Sequence, residues 1–393
     1  MASTPPPSAQ SIAATVGNSQ IELIVDGPAR LVKLIALIDG ATHSLRVLFY
    51  IFAADGSARQ VRDAMARAAA RGVRVIALLD SFGSSSTPDS FFEPVRRAGG
   101  TVRWFGTRWT PRYLIRNHQK LVVVDEHIAM SGGFNVADAY FAPADMADGW
   151  SDLALTVTGP AVDSAIRWFD GLAEWLADPR PKFRDLRRLV REWRDPGGRV
   201  RWLVGGPTVR LSPWARTFRR DLSRADNVAL VMAYFSPNAA LLRRFGRVAR
   251  NGGVVRMLLP ARSDNAATVG AARLLYGFLL KRGVCIGEYE PQRLHMKLIV
   301  IDDVVMIGSA NLDMRSLYMN MEMVLRVRDT AFARQCRAFI ATQEEQATAI
   351  TPELHRRRAG ILNRLRWLAS WLVVSAIDYS VTRRLNFGLG EKM

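Results

Sequence analysis

Two short clusters carry residue types that can do chemistry together: His118-Gln119-Lys120 followed by Asp125, and His295-Met296-Lys297 followed by Asp302. Each reads His-x-Lys-(x)4-Asp inside an apolar, β-branched run. Each leads to a small-residue turn closing on Asn, Gly132-Gly133-Phe134-Asn135 in one case and Gly308-Ser309-Ala310-Asn311 in the other. On a strand, side chains two apart share a face, so each His stands beside the positive charge of its Lys. Two such faces brought together would set two imidazoles and two ammonium groups around one phosphorus. One neutral His could attack, the other could protonate the leaving oxygen, and Lys120 with Lys297 could hold the non-bridging oxygens. Either cluster alone is a pattern short enough to recur by chance. Both together, with one spacing and one sequel, take two of the chain's five histidines and point to a duplicated phosphodiester-processing site.

These residues resemble the paired HKD motifs of the phospholipase D superfamily. More narrowly, Asn117-His118-Gln119-Lys120 with Gly132-Gly133-Phe134-Asn135-Val136-Ala137-Asp138 resembles the first motif of bacterial cardiolipin synthases. Gly308-Ser309-Ala310-Asn311-Leu312-Asp313-Met314-Arg315-Ser316 and Asn320-Met321-Glu322 resemble the second. The similarity runs from about Gln20 to about Asp329, and it is to the short type of synthase that lacks N-terminal transmembrane spans. The resemblance implies a catalytic set of His118, Lys120, Asp125, His295, Lys297 and Asp302, with Asn135, Asn311 and Ser309 near the phosphoryl oxygens. Asp125 and Asp302 stand at strand ends, positions better suited to bracing a loop than to touching phosphorus. A catalytic His needs an acceptor on its other ring nitrogen; by resemblance Glu322 would orient His295, and Asp152 is the matching candidate for His118. One departure lies in the turns, where six residues separate Asp125 from Gly132 but five separate Asp302 from Gly308. A shorter hairpin turn after Asp302 is expected, without movement of His295 or Lys297.

The repeat extends beyond the motifs to the elements that must position them. Leu45 to Phe52 reads as a buried strand, followed by an amphipathic stretch from Ala58 to Ala70, Gly72, and a strand from Val73 to Leu79. Val228 to Phe235, Leu241 to Arg250, Gly252 and Val254 to Leu259 follow in the same order. Strands alternating with helical patterns define an α/β architecture, and 393 residues suffice for two cores. The expected fold is two duplicated phospholipase D-like α/β halves, each a mixed β-sheet flanked by helices, related by a pseudo-twofold with the site between them. The expected divisions are a disordered N-terminus at 1–19, rich in Ser, Pro and Ala, and a first half at 20–176. An Arg-rich linker at 177–199 follows, including Asp178-Pro179-Arg180-Pro181 and Asp195-Pro196-Gly197-Gly198, then a second half at 200–350 and a basic amphipathic segment at 351–393.

A formal net charge of +18 suits an anionic partner, whether nucleic acid or membrane. Arg103-Trp104, Arg108-Trp109, Arg112-Tyr113 and Arg116 interleave cations with aromatics. They could sit at a lipid headgroup layer or form a basic loop with structural Trp. Near the C-terminus, Arg356-Arg357-Arg358 precede Ile361, Leu365, Leu368 and Leu372 at helical spacing, with Trp367, Trp371, Val373, Val374 and Ile377 widening the face and Arg383-Arg384 closing it. The apolar stretch is too short to span a bilayer. It reads as a helix lying in the membrane interface or one packing on the core. Cys285 and Cys336 make neither a disulfide framework nor a metal site; no metal and no cofactor are expected. The resemblance implies a phosphatidyltransferase that joins two phosphatidylglycerols into cardiolipin and glycerol through a phosphatidyl-histidine. His118 would be the nucleophile, although the near-symmetric sequence also allows the reverse. A peripheral enzyme on the cytoplasmic face of the membrane is expected, with nucleic acid not a partner and the oligomeric state open. The alternatives are a phospholipase D-type hydrolase, a transferase using phosphatidylethanolamine, a nuclease-like phosphodiesterase, and a non-catalytic lipid binder.

Overall fold

The structure, a computed structural model, describes residues 12–106, 115–196, 198–208 and 210–377. The expectations for 1–11, Arg108-Trp109, Arg112-Tyr113, Gly197 and Arg383-Arg384 lie outside the described residues.

The first half contains β1 (Ile12–Val16), β2 (Ser19–Ile24), β3 (Ser44–Phe49), β4 (Arg74–Asp80), β5 (Thr101–Phe105), β6 (Leu121–Val124), β7 (Ile128–Gly132), the short β8 (Trp150–Ser151) and β9 (Ala154–Thr158). Its helices are α1 (Gly27–Asp39), α2 (Gly56–Ala70), α3 (Glu93–Arg97) and α4 (Ala161–Ala177), and α5 (Phe183–Glu192) follows. The second half contains β10 (Val200–Gly205), β11 (Asn227–Met232), β12 (Phe235–Ser236), β13 (Val254–Pro260), β14 (Cys285–Tyr289), β15 (Arg293–Leu294), β16 (Lys297–Ile301), β17 (Val304–Gly308), β18 (Leu312–Asp313), β19 (Glu322–Arg328) and β20 (Ala347–Ala349). Its helices are α6 (Pro213–Leu222), α7 (Ala239–Arg250), α8 (Ala266–Leu280), α9 (Met314–Tyr318), α10 (Thr330–Glu344), α11 (Pro352–Arg358) and α12 (Ile361–Trp371).

Two eight-stranded sheets result, ordered β1-β2-β9-β7-β6-β3-β4-β5 and β10-β19-β17-β16-β11-β13-β14-β20. Position by position, β2-β9-β7-β6-β3-β4-β5 matches β10-β19-β17-β16-β11-β13-β14; β3, β4 and β5 run parallel, as do β11, β13 and β14. The duplication expected from sequence is therefore a duplication of strand order. Continuous apolar runs suit central strands covered on both faces, and β3 and β16 are buried at every position. Equivalent helices end alike: Gly72 and Gly252 follow α2 and α7 with φ of 90° and 91°, a backbone that favours glycine at a helix C-terminus. One core, including Leu155, Trp168, Val300 and Leu325, unites residues of both sheets with α4 and α10 between them. Separate cores lie under α1 and α2 and under α6, α7 and α8.

One expected division needs correction. Residues 12–19 are not a disordered tail: β1 pairs with β2 across the turn at Gly17-Asn18, with Val16 facing Ser19. The Arg-rich linker at 177–199 is helical in its middle: α5 buries Leu186 and Val190 while Arg184, Arg188 and Arg191 are exposed.

Candidate active site

Each His-x-Lys segment is carried by one half and seated against the other. The His118 N–H donates to Met321 O at 2.9 Å and the Met321 N–H to Arg116 O at 2.9 Å, so the chain before β6 lies parallel to the start of β19. Across the site, β15 pairs with β8, and the His295 N–H donates to Ser151 O at 2.8 Å. The residue following each seat is an acid, Glu322 after Met321 and Asp152 after Ser151.

This seating crosses the acids between the halves. His118 Nδ1 lies 3.2 Å from Glu322 Oε2 and 3.1 Å from Ser309 O, while His295 Nδ1 lies 2.6 Å from Asp152 Oδ2. The expectation that Glu322 serves His295 and Asp152 serves His118 is reversed. The physical reason is the pairing just described, in which each acid follows a residue hydrogen-bonded to the opposite half's His segment.

With acceptors at both contacts, His118 carries its proton on Nδ1, a tautomer assigned from the network. For His295 the shorter, charge-assisted contact to Asp152 does the same; Lys297 Nζ, 2.9 Å from that nitrogen, then contributes charge more than a donated bond. Nε2 of each ring is left for chemistry. Lys120 Nζ donates to His118 O at 2.6 Å and Lys297 Nζ donates to His295 O.

All six groups are buried. Burial, then the neighbouring Lys120, pushes His118 down to about 4, against the pull of Glu322. Burial and Lys297 likewise bring His295 to about 4, against Asp152. Burial lowers Lys120 to about 7 and Lys297 to about 8 even though Glu322 and Asp152 hold protons on both. Burial raises Glu322 and Asp152, but His118 and His295 outweigh it and leave both below the ordinary carboxylate range. A phosphodiester anion beside Lys120 and Lys297 would raise both pKa values again by favouring the charged ammonium.

The surroundings fix these groups. Tyr50 meets the His118 ring edge to face at 4.9 Å, and Tyr140 and Trp150 meet His295 at 5.1 and 5.2 Å. Ser309 and Ser316 hydroxyls donate to Glu322, the latter at 2.7 Å. Asn135 accepts the Ile51 N–H at 3.2 Å and so supports the loop, whereas Asn311 Oδ1 is buried with no partner among the described residues. Gly132 and Gly308 end β7 and β17 where a Cβ would fall 2.2 Å from Leu153 O and Met323 O. Glycine there lets the strands carrying the acids close in.

Asp125 and Asp302, counted among the six catalytic residues, are not in the site. They occupy the turns after β6 and β16 with φ of 49° and 48°, four to five strand residues from the lysines, or roughly 16 Å. Asp125 accepts the N–H groups of Thr42, His43 and Ser44, and Asp302 those of Asp226 and Asn227. The turn after Asp302 is shorter, as expected: Ile301 faces Val304 there, against Val124 and Ile128 in the first half.

Sequence reasoning missed four residues. Ser316 was within the quoted motif without a role. Gln119 donates to Glu322 O at 3.0 Å and accepts the Trp168 indole N–H. Arg30 is buried and donates to the main-chain carbonyls of Asp152, Val25 and Tyr140. Asp80, at the end of β4, accepts the Asn117 N–H at 2.6 Å; burial pushes it up to about 6 despite its backbone donors. Only the motif position of Ser316 and Gln119 offered a signal. The aromatic and basic loop divides: Arg103 donates to Ala173 O, and Trp104 donates to Asp89 and packs on Phe92, which are structural roles.

Two equivalent sheets sharing one buried His/Lys site across their contact define a phospholipase D-like protein. A family profile described as "Cardiolipin synthase, PLD-like domain" matches residues 34–170 and 219–342. The chain belongs to that cardiolipin synthase family. It is 32% identical over 344 residues to cardiolipin synthase A of Pseudomonas putida, covering 86% of this chain and 71% of the relative. To that of Pseudomonas fluorescens it is 32% identical over 354 residues, covering 87% and 72%. Among solved structures, phosphatidylserine synthase of Haemophilus influenzae superposes with a TM-score of 0.68 at 14% identity, covering 93% of this chain and 96% of that one. Polyphosphate kinase of Porphyromonas gingivalis superposes at 0.58 with 16% identity, covering 85% and 49%.

Proposed function

We propose that this enzyme transfers a phosphatidyl group from one phosphatidylglycerol to the terminal hydroxyl of another, giving cardiolipin and glycerol. The observation that carries the reading is the pair of carboxylate-bound imidazoles with two buried lysines, set in a chain of the cardiolipin synthase family. In the first step His118 Nε2 attacks phosphorus, the bond to the glycerol oxygen breaks, and His295, held as the imidazolium by Asp152 once the anionic phosphodiester has joined the site, gives that oxygen its Nε2 proton. Lys120 and Lys297 hold the non-bridging oxygens as charge builds on them, and Asn311 Oδ1 can accept a substrate hydroxyl. In the second step His295 takes the proton of the acceptor hydroxyl, whose oxygen displaces His118 from phosphorus.

The contacts favour this division of labour. Glu322 is shared among Ser309, Ser316 and His118, so it supports an imidazolium less well than Asp152 supports His295 at 2.6 Å. The more weakly supported ring suits the nucleophile and the tightly held ring the acid and base. Phosphatidylglycerol resides in bilayers, so the enzyme acts peripherally at the cytoplasmic surface, where a +18 chain is drawn to anionic lipid.

The test is product analysis with labelled phosphatidylglycerol vesicles and, in parallel, labelled single-stranded DNA. Cardiolipin with equimolar glycerol is expected. Phosphatidic acid alone means hydrolysis, and shortened DNA with inert lipid overturns the reading.

A further inference from the structure

The helix α12 is amphipathic in the inverse of the usual sense. Its protein-facing side is the more polar one. At about 100° per residue, Leu365, Leu368 and Leu372 fall within roughly 40° of Ile361. These four are 58%, 43%, 42% and 83% exposed, and Leu362 is 72% exposed. Trp367 is the buried residue of the helix, and Asn363, Ser370 and, at the edge of the stripe, Arg366 line the cleft toward α8 beside it. Arg364 and Arg366 flank the apolar stripe on its two sides and are exposed, as are Arg356 and Arg357 at the end of α11. From Leu354 to Ile377 the chain contains no acid.

The helix is held firmly. The His355 ring stacks on Trp367 at 5.6 Å, and Arg358 donates to buried Glu288, itself paired with Arg273. A Cβ on Gly270 would lie 2.6 Å from Ser370 Oγ, so α12 crosses α8 in close contact near the start of α8. That start adjoins the active site: Asp264, just before α8, accepts the Tyr234 hydroxyl at 3.3 Å, and the Tyr234 ring lies 6.3 Å from His295. The C-terminal part of α12 therefore lies at the end of α8 that adjoins the surroundings of His295. It lies beyond the family match, which ends at residue 342. Among the described residues no helix is long and apolar enough to cross a membrane.

We propose that the outward face of α12 docks this protein on an anionic phospholipid bilayer, with Ile361, Leu362, Leu365, Leu368 and Leu372 in the acyl boundary and Arg364 and Arg366 at the phosphates. Flanking arginines bury their stems along an apolar face while their heads reach the headgroups. Docked so, the enzyme presents its active-site rim to the lipid layer; this consequence rests on the phosphatidyl-transfer reading.

The test compares the full chain with the Leu365→Ser/Leu368→Ser variant and, separately, the Arg364→Glu/Arg366→Glu variant. Both change exposed positions, and unchanged thermal unfolding verifies the fold. In sedimentation with phosphatidylglycerol/phosphatidylcholine vesicles, the serine variant should bind at least about tenfold more weakly. The glutamate variant should lose its preference over pure phosphatidylcholine vesicles. The serine variant should also lose turnover on vesicles while keeping the wild-type rate on short-chain phosphatidylglycerol dispersed as monomers. Vesicle binding unchanged in both variants overturns the proposal. So does a wild-type dimer that the serine variant splits without loss of vesicle binding, which would assign the face to a second copy. Absence of turnover on dispersed lipid by the wild type counts against the transfer reading alone, because sedimentation decides docking without it.

Discussion

His118 and His295 are the same side chain in the same motif, and their acceptors separate them. His295 faces Asp152 Oδ2 at 2.6 Å while Oδ1 accepts the Leu153 N–H; the Glu322 oxygen facing His118 also accepts the Ser309 hydroxyl, and the other oxygen accepts that of Ser316. Replacing either His by Ala is expected to lower turnover by about a thousandfold or more, since nucleophile and proton carrier are each lost outright. Steady-state product formation measures this, with unchanged circular dichroism as the folding control. Ser316→Ala removes one bond that occupies Glu322, so His118 should become more basic, and NMR titration of its ring would register the rise. Lys120 and Lys297, lowered by burial to about 7 and about 8, must be charged to receive phosphate. The binding charge is therefore present at low pH and lost as pH rises through those values. The pH profile of kcat/KM on dispersed lipid should therefore fall on its alkaline side between about 7 and 8. A profile flat to pH 10 contradicts the role given to the lysines.

At the scale of elements, the β6–β7 and β16–β17 hairpins deliver the lysines to the site at one end and are braced by Asp125 and Asp302 at the other. Burial works against the Asp125 charge, but the N–H groups of Ser44, His43 and Thr42 outweigh it and hold the carboxyl at about 2. A depressed pKa stabilises the fold above the unfolded value near 4. That contribution is lost as pH falls from about 4 to about 2. Asp125→Ala should cost roughly 2–3 kcal/mol in denaturant unfolding at pH 7, with the difference from wild type shrinking near pH 2. The central strands were readable because continuous apolar runs suit strands covered on both faces. The edge pieces were not. Ser and Pro in residues 3–8 hid the Gly17-Asn18 hairpin turn beside them, although a Gly-Asn pair between short apolar runs is a strand-turn-strand signal. In the same way, the arginines of α5 hid Phe183, Leu186 and Val190, whose spacing of three and four marks one helical face.

Across the whole molecule the site exists only where the halves meet. Sequence located the two His, the two Lys and both acids, because their order survives in each repeat. It could not tell which acid serves which His, because that depends on a pairing between Met321 and residues 116–118, two hundred positions apart. The crossed arrangement has an energetic signature. Effects of His118→Ala and Glu322→Ala on kcat should be strongly non-additive, whereas His295→Ala and Glu322→Ala should combine nearly independently. The most direct test of transfer through His118 uses the His295→Ala protein and a phosphatidyl p-nitrophenol, whose leaving group needs no protonation. Without a base for the second step the intermediate should accumulate. A burst of one nitrophenolate per enzyme is expected and, after alkaline quench and peptide mass spectrometry, a phosphatidyl group on His118. No adduct, or one carried by another residue, would contradict transfer through His118.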